Sequence, residues 1–359
     1  MSAIVAVLSM ACTAEPSSMT APRAESTEDP RIVCVREHPS SPAYEPVVRA
    51  LCAELTTHRG VSAGVAIAVD GRVRFSTAIG PRCRGQAEPL DSTTVLGIGS
   101  ITKLVTAPLA ITIAERHGID LDEPLTRALP EFTIAPTLRG LLTHTAGLRD
   151  PEPAALLAAG DAWPRVLAEH RRPSGDHVYA NAGYLLVGRW LEDTTGRPFA
   201  DLFAHEPGLA PVREHVALEI DASMTLGCGH ARGLGWRAIE PTAVPPLPAW
   251  TLPAGGGLAS VAELVQLPEA LERTGRLTTM IEGRVPSDRI GWDYGLGIRV
   301  RGTGDELVLA HAGNTGTYWA ELQWSPTRRV AVAVVSTTPQ AFKATLHAAF
   351  TAGLAGGPQ

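Results

Sequence analysis

Long hydrophobic runs are missing from this chain: no apolar stretch approaches the roughly 20 residues a membrane-spanning helix needs. Basic runs are missing too, and the net charge is −6, so no nucleic-acid partner is expected. There are only five cysteines, and none forms a Cys-x-x-Cys pair or stands at zinc spacing from a histidine. The histidines fit no metal spacing either, so neither a metal nor a cofactor is expected. No internal repeat is visible. What is present is an ordinary globular composition, 359 residues with 45% hydrophobic and 5% aromatic content. That length accommodates two interleaved lobes and a core that needs no metal or disulfide staple.

The first residues are unusual. A short apolar run, residues 3–10, ends at Ala11-Cys12, and a stretch rich in Ser, Thr, Pro and Glu follows. The pattern resembles the end of a bacterial lipoprotein signal, with Cys12 as a lipid anchor. It lacks a basic n-region and carries Ser9 three residues before the cysteine. The alternative is a frayed apolar N-terminus. An exported protein, in the cell envelope or secreted, is the expectation, with residues 1–43 as leader and disordered tether. With Cys12 lipidated, Cys34, Cys52, Cys83 and Cys228 remain. Four suit two disulfides in an oxidising compartment, but three pairings are open. The competing reading makes each a small buried hydrophobe.

Helical spacing of apolar residues marks residues 44–58. Residues 61–80 then read as a β-hairpin, two apolar runs about the Asp70-Gly71 turn signal. The chain's end mirrors this with four strand-like runs, "GLGIRVR", "ELVLAHAG", "TYWAELQWS" and "VAVAVVSTT", and a closing helix, "QAFKATLHAAFTAGL". The middle is helical. The expected fold is therefore mixed α/β of the α+β type. It has an antiparallel five-stranded sheet flanked by helices and built from both chain ends, with an inserted all-helical lobe. The boundaries are residues 44–95 plus 255–359 for the sheet domain and 96–254 for the insertion. The groove between them is the natural place for a site.

"GIGSITK", residues 97–103, lacks the third glycine of a dinucleotide loop and does not match a P-loop. What remains is Ser-x-x-Lys. One helical turn places residues i and i+3 on one face, so Ser100 and Lys103 meet. Gly99 permits a tight turn before the helix. A desolvated lysine can lose its proton and serve as base to the hydroxyl. By itself the motif is weak, because a capping serine and a solvated lysine read the same way. Pro108 should kink the helix, but beyond the pair. Two more motifs follow. Tyr179 and Asn181 in "VYANAGYL" lie two apart and face one side of an extended stretch. A tyrosinate-like phenol would relay protons, and the amide would bind a substrate carbonyl. The bland alternatives are a core tyrosine and a helix cap. In "HAGNTG", His311, Gly313 and Asn314 end a strand, where the Asn314 and Ser100 N–H groups would form an oxyanion hole. His144 in "THTAGL" is better read as a buried, hydrogen-bonded histidine than as a catalytic one. Trp236 and Trp319 are cleft candidates, though either is more often core.

Ser-x-x-Lys, Tyr-x-Asn and His-x-Gly in this order resemble the serine β-lactamase and penicillin-recognising superfamily. The nearest likeness is to its class C branch, with D-alanyl-D-alanine carboxypeptidases, D-aminopeptidases and esterases. "LRGLLTHTAGL", "LPAGGGLASVAELVQL" and "WDYGLGIRV" add to the likeness, which spans about residues 45–350. The resemblance implies that Ser100 is acylated and that Lys103 and Tyr179 share base and acid duties. It also implies that Asn181 orients the acyl amide, and that His311, Gly313 and Asn314 line the substrate site. His311 stands where true class C lactamases carry lysine, which lowers the expectation of efficient β-lactam hydrolysis. The expected function is a serine hydrolase forming an acyl-enzyme with an amide or ester, on a small-molecule or peptide substrate, in a monomer. An acyltransferase of the same fold and a non-catalytic penicillin-binding sensor are the rivals.

Overall fold

The computed structural model describes residues 29–58, 61–171, 173, 175–233, 235–239 and 248–356, with only the backbone described at 231–239. Cys12 and the rest of residues 1–28 therefore lie outside the described residues, as do the Trp236 side chain and most of the proline-rich run near residue 245.

Asp70 and Gly71 both have positive φ, 52° and 69°, as a two-residue hairpin turn requires. They join β1 (Ala63–Val69) to β2 (Arg72–Ile79). The chain then forms β3 (Leu96–Gly99), β4 (Gly229–Gly233), β5 (Gly235–Ile239) and β6 (Gly257–Ala259). The late strands are β7 (Val285–Pro286), β8 (Asp293–Tyr294), β9 (Arg299–Arg301), β10 (Val308–Asn314), β11 (Trp319–Ser325) and β12 (Val330–Ser336). The main sheet is antiparallel in the order β2-β1-β12-β11-β10-β9-β8-β7. It thus unites both chain ends, as expected, but has eight strands rather than five. β9 falls in the run "GLGIRVR", already read as a strand, whereas β7 and β8 are two residues long each. Segments that short carry no readable alternation.

Every residue of β1 and of β12 is buried. Their unbroken apolar runs fit a sheet covered on both faces. On one face lie the terminal helices, Glu45–Thr57 and Lys343–Ala355, which bring Val48, Leu51 and Leu346 against Val65, Ile67 and Val332. Thirteen residues is too short for a stable isolated helix, so this packing holds both in place. The other face meets Lys103–His117 and the helices that follow it up to Leu277–Glu282. Edge strand β2 is largely exposed and carries Arg72 and Arg74, charges that discourage edge-to-edge association.

Cys34 is bonded to Cys52 and Cys83 to Cys228, which selects one of the three pairings and overturns the buried-hydrophobe reading. The first bridge ties the Pro30–Glu37 helix to Glu45–Thr57. The expected insertion is not all-helical either. It contains β3, which pairs with β6, and the separate β4–β5 hairpin, whose glycine-rich sequence gives no apolar alternation. Pro108 sits inside Lys103–His117, which is assigned as one continuous helix.

Candidate active site

Gly99 has φ 51° and ψ −133°, a conformation that glycine adopts freely and L-residues rarely do. It turns the chain out of β3 into a 3₁₀ turn, Ser100–Thr102, that runs into the Lys103–His117 helix. In 3₁₀ geometry residues i and i+3 eclipse. Lys103 Nζ accordingly lies 2.9 Å from Ser100 Oγ. Two further acceptors hold the amine, Asn181 Oδ1 at 2.8 Å and the Ala254 carbonyl at 2.7 Å.

Lys103 is wholly buried. Burial first, and the Arg299 charge second, bring its pKa down to about 7, while Asp150 acts in the opposite sense. A neutral amine has two N–H bonds and one lone pair. Asn181 Oδ1 and Ala254 O can only accept, so they take both hydrogens. The lone pair is then left for the Ser100 hydroxyl proton. This allocation makes Lys103 a base aimed at one oxygen.

The Tyr179 phenol lies beside Ser100, and Lys103 Nζ sits 5.1 Å from its ring centre. Burial raises the phenol pKa above its ordinary value, against the lowering effects of the Ser100 hydroxyl and Arg299. The expected tyrosinate-like group is therefore corrected to a neutral phenol. With the serine proton directed at Lys103, a lone pair of Ser100 Oγ stays open to the Tyr179 O–H.

Asn181 opens the Asn181–Thr195 helix but is not its cap; the N-cap is Ala180, with no side-chain oxygen. Asp150 accepts the Ala182 N–H at 2.8 Å and Asn181 Nδ2–H at 3.1 Å.

His311 requires a second correction. Its ring is completely buried. Nδ1 pairs with the Ala312 carbonyl at 2.9 Å, so Nδ1 carries the hydrogen, and Nε2 accepts from the Tyr294 hydroxyl at 2.8 Å. Both nitrogens are thus committed, and burial holds the imidazole neutral, well below its usual pKa. It supports Tyr294 rather than contacting substrate. Gly313 and Asn314 do reach the nucleophile. A Cβ on Gly313 would lie 1.8 Å from Ile98 O and 3.0 Å from Ser100 N; one on Gly99 would lie 2.8 Å from Asn314 N. The Ser100 and Asn314 amides thus flank one narrow gap.

His144 is buried and accepts the Ala180 N–H at 3.3 Å on Nδ1. Its ring lies 4.2 Å from that of Tyr179, and its Nε2 has no hydrogen-bond partner. The other nitrogen is thus satisfied, as expected of a buried histidine. Trp319 is core, packed on Phe342. Another serine stands in a G-x-S-x-G run, residues 60–64. Ser62 is fully buried, donates to Pro81 O at 2.6 Å and precedes a strand rather than a helix, so it is no nucleophile.

Sequence reasoning missed Ala254, Asp150, Tyr294 and Arg299. Arg299 lies 5.9 Å from the ring centres of both Tyr179 and Tyr294, and its Nε is buried without a partner. None of the four carried a distinctive local signal, and Arg299 shares its three-residue strand with a second arginine, Arg301.

The Lys103 pKa sets a pH dependence. The base acts only when neutral, so acylation should fall as pH drops through about 7 and level off above about 8. His144 and His311 both titrate well below their usual range and add no limb there. A stopped-flow pH series on acylation checks this; a flat profile from pH 5.5 to 8.5 contradicts it.

Comparison with known proteins bears on the fold and the family. A D-aminopeptidase of Cereibacter sphaeroides is 32% identical over 170 residues, 44% of this chain and 33% of that protein. The match thus spans about a third of that relative. Among solved structures, a class C beta-lactamase superposes with a TM-score of 0.72 at 14% identity, covering 87% of this chain and 96% of that one. An octameric penicillin-binding protein homologue from Pyrococcus abyssi superposes with a TM-score of 0.68 at 21% identity, covering 81% of this chain and 73% of that one. At those identities they show a shared fold. The family model described as Beta-lactamase matches residues 47–355, and the chain belongs to the beta-lactamase family.

Proposed function

We propose that this protein is a serine hydrolase that works through an acyl-enzyme. The observation that carries the reading is the saturated Lys103 amine, whose two fixed acceptors leave its lone pair for Ser100. Lys103 removes the hydroxyl proton as Oγ attacks an amide or ester carbonyl. The developing oxyanion sits between the Ser100 and Asn314 N–H groups, each such donor lowering the barrier by about 3 kcal/mol. The tetrahedral adduct collapses, the C–N or C–O bond breaks, and the leaving group takes a proton from the Tyr179 phenol, which Lys103 replenishes. Asn181 has a second Nδ2–H, beyond the one given to Asp150, for the acyl-side carbonyl. Water, deprotonated by the same base, then releases the acid.

The substrate class proposed is a peptide or small amide that carries a D-amino acid at the bond cleaved. The D-aminopeptidase relative supports this. So does Arg299, which has no carboxylate within ion-pair distance among the described residues and offers a cation to a substrate carboxylate. Two disulfides support export to an oxidising compartment.

The test is a panel of D-peptides, D-amino-acid amides, esters and β-lactams, with product analysis in the presence of a competing amine. Hydrolysed D-configured substrates support the reading. Exclusive transfer to the amine replaces it with acyl transfer, and labelling without turnover replaces it with a sensor. Arg299→Gln should raise KM for carboxylate-terminated peptides about tenfold to a hundredfold and leave that for neutral esters within about twofold. Equal effects on both classes would remove the carboxylate assignment.

A further inference from the structure

Asp150 lies in the loop between the Leu138–Leu142 and Pro153–Ala159 helices and is exposed. Its two oxygens divide their work. Oδ1 accepts the Ala182 N–H, supplying the helix start with the acceptor that Ala180 lacks. Oδ2 accepts from Asn181 Nδ2. A carboxylate only accepts, so the amide must turn its NH2 toward Asp150 and its Oδ1 toward Lys103. Turned over, the amide would set Nδ2 against the Lys103 N–H and Oδ1 against the carboxylate. Both contacts would then be lost.

We propose that Asp150 is a positioning residue for acylation: it locks the Asn181 carboxamide so that Oδ1 draws one Lys103 hydrogen and the amine lone pair stays on Ser100. This rests on Ser100 as nucleophile and Lys103 as base. The bond that forms in that step is Ser100 Oγ to the acyl carbon, and Lys103 takes the serine proton. Asp150 touches none of these atoms.

Asp150 also acts through charge. The titratable and charged groups facing Lys103 are Asp150, Arg299, Tyr179, Tyr184, His144 and His311. Burial keeps both phenols protonated and both histidines neutral near pH 7. Asp150 and Arg299 are therefore the charges that matter, with opposite signs. Asp150 favours the protonated amine, so its removal lowers the pH at which Lys103 titrates.

The chain has two lysines, Lys103 and Lys343, so protein labelled with ε-¹³C lysine gives two side-chain resonances, assigned with Lys343→Arg. The full chain is titrated as wild type, Asp150→Asn and Asp150→Glu, and the acylation rate is measured across the same pH range. In Asp150→Asn the replacement amide accepts from only one of its two donors, so Asn181 is released. The Lys103 midpoint should fall by about half to one unit and the acid limb of acylation should follow it down. The plateau rate should drop about tenfold. Asp150→Glu keeps the charge and should hold the midpoint near the wild-type value. A purely structural cap would not move the lysine resonance. The proposal is overturned if the Asp150→Asn midpoint equals the wild-type one, or if the rate loss merely tracks a lowered melting temperature. Should the wild-type protein never acylate Ser100, the functional reading fails. The midpoint comparison would still decide whether Asp150 governs the amine.

Discussion

Replacing Ser100 by alanine or Lys103 by methionine should each lower the rate of acyl-enzyme formation by about 10⁴-fold or more. The two losses should not add, because both remove the same attack. Lys103→Met carries a second expectation, on stability. The amine titrates at about 7 in the folded protein, against an ordinary value of 10.5. Between those values the unfolded chain holds a proton that the folded one does not, so raising the pH favours folding. The contribution of Lys103 to stability is complete above about 10.5 and is lost as pH falls through about 7. Its full range is on the order of 5 kcal/mol for this wholly buried group. The methionine variant lacks that dependence. Relative to wild type it should therefore be most stable at pH 6 and lose its advantage as pH rises toward 10. Urea midpoints at pH 6 and pH 9.5 measure the difference. A constant gap between the proteins would mean that Lys103 titrates normally, and the lysine-base account would fail with it.

Gly313→Ala should be the most damaging single-methyl change at the site. The new Cβ would sit 1.8 Å from the Ile98 carbonyl oxygen, a backbone atom that cannot rotate aside. Strand β10 must then move away from β3, and the Asn314 amide moves away from the Ser100 amide. Forcing a methyl into closed packing costs about 1–3 kcal/mol and sometimes more, and losing one oxyanion donor lowers the rate about 10²- to 10³-fold. Thermal unfolding and the acylation rate report the two effects separately. Parental acylation in a destabilised variant would show that the two amides need not stand this close.

Local and non-local parts of the site differ in how far sequence revealed them. Ser100 and Lys103 are three residues apart and share a turn, so spacing alone predicts their contact. The placement of Tyr179 and Asn181 also follows from short-range geometry. By contrast, Ala254 O meets Lys103 across 151 residues of sequence, and Asp150 meets Asn181 across 31. No periodicity encodes such meetings. His311 is an intermediate case. As i and i+2 along β10, His311 and Gly313 share a face, and Gly313 closes on Ile98 beside the nucleophile. Sequence therefore brought the ring to the right neighbourhood, but only the Tyr294 hydroxyl explains why it turns inward. The sheet behaved alike. Its five long strands and the short β9 announced themselves through apolar runs and turn residues, while the two-residue β7 and β8 gave no pattern to read.

The central claim is that Ser100 becomes the nucleophile because Lys103 gives it a lone pair. The direct measurement is peptide mapping by mass spectrometry after brief incubation with a fluorophosphonate or a slowly released acyl donor at pH 8. The account predicts one adduct, on Ser100, absent from Ser100→Ala and reduced at least about 10³-fold in rate in Lys103→Met. An adduct on another residue, or equal labelling of Ser100 with and without Lys103, would contradict it.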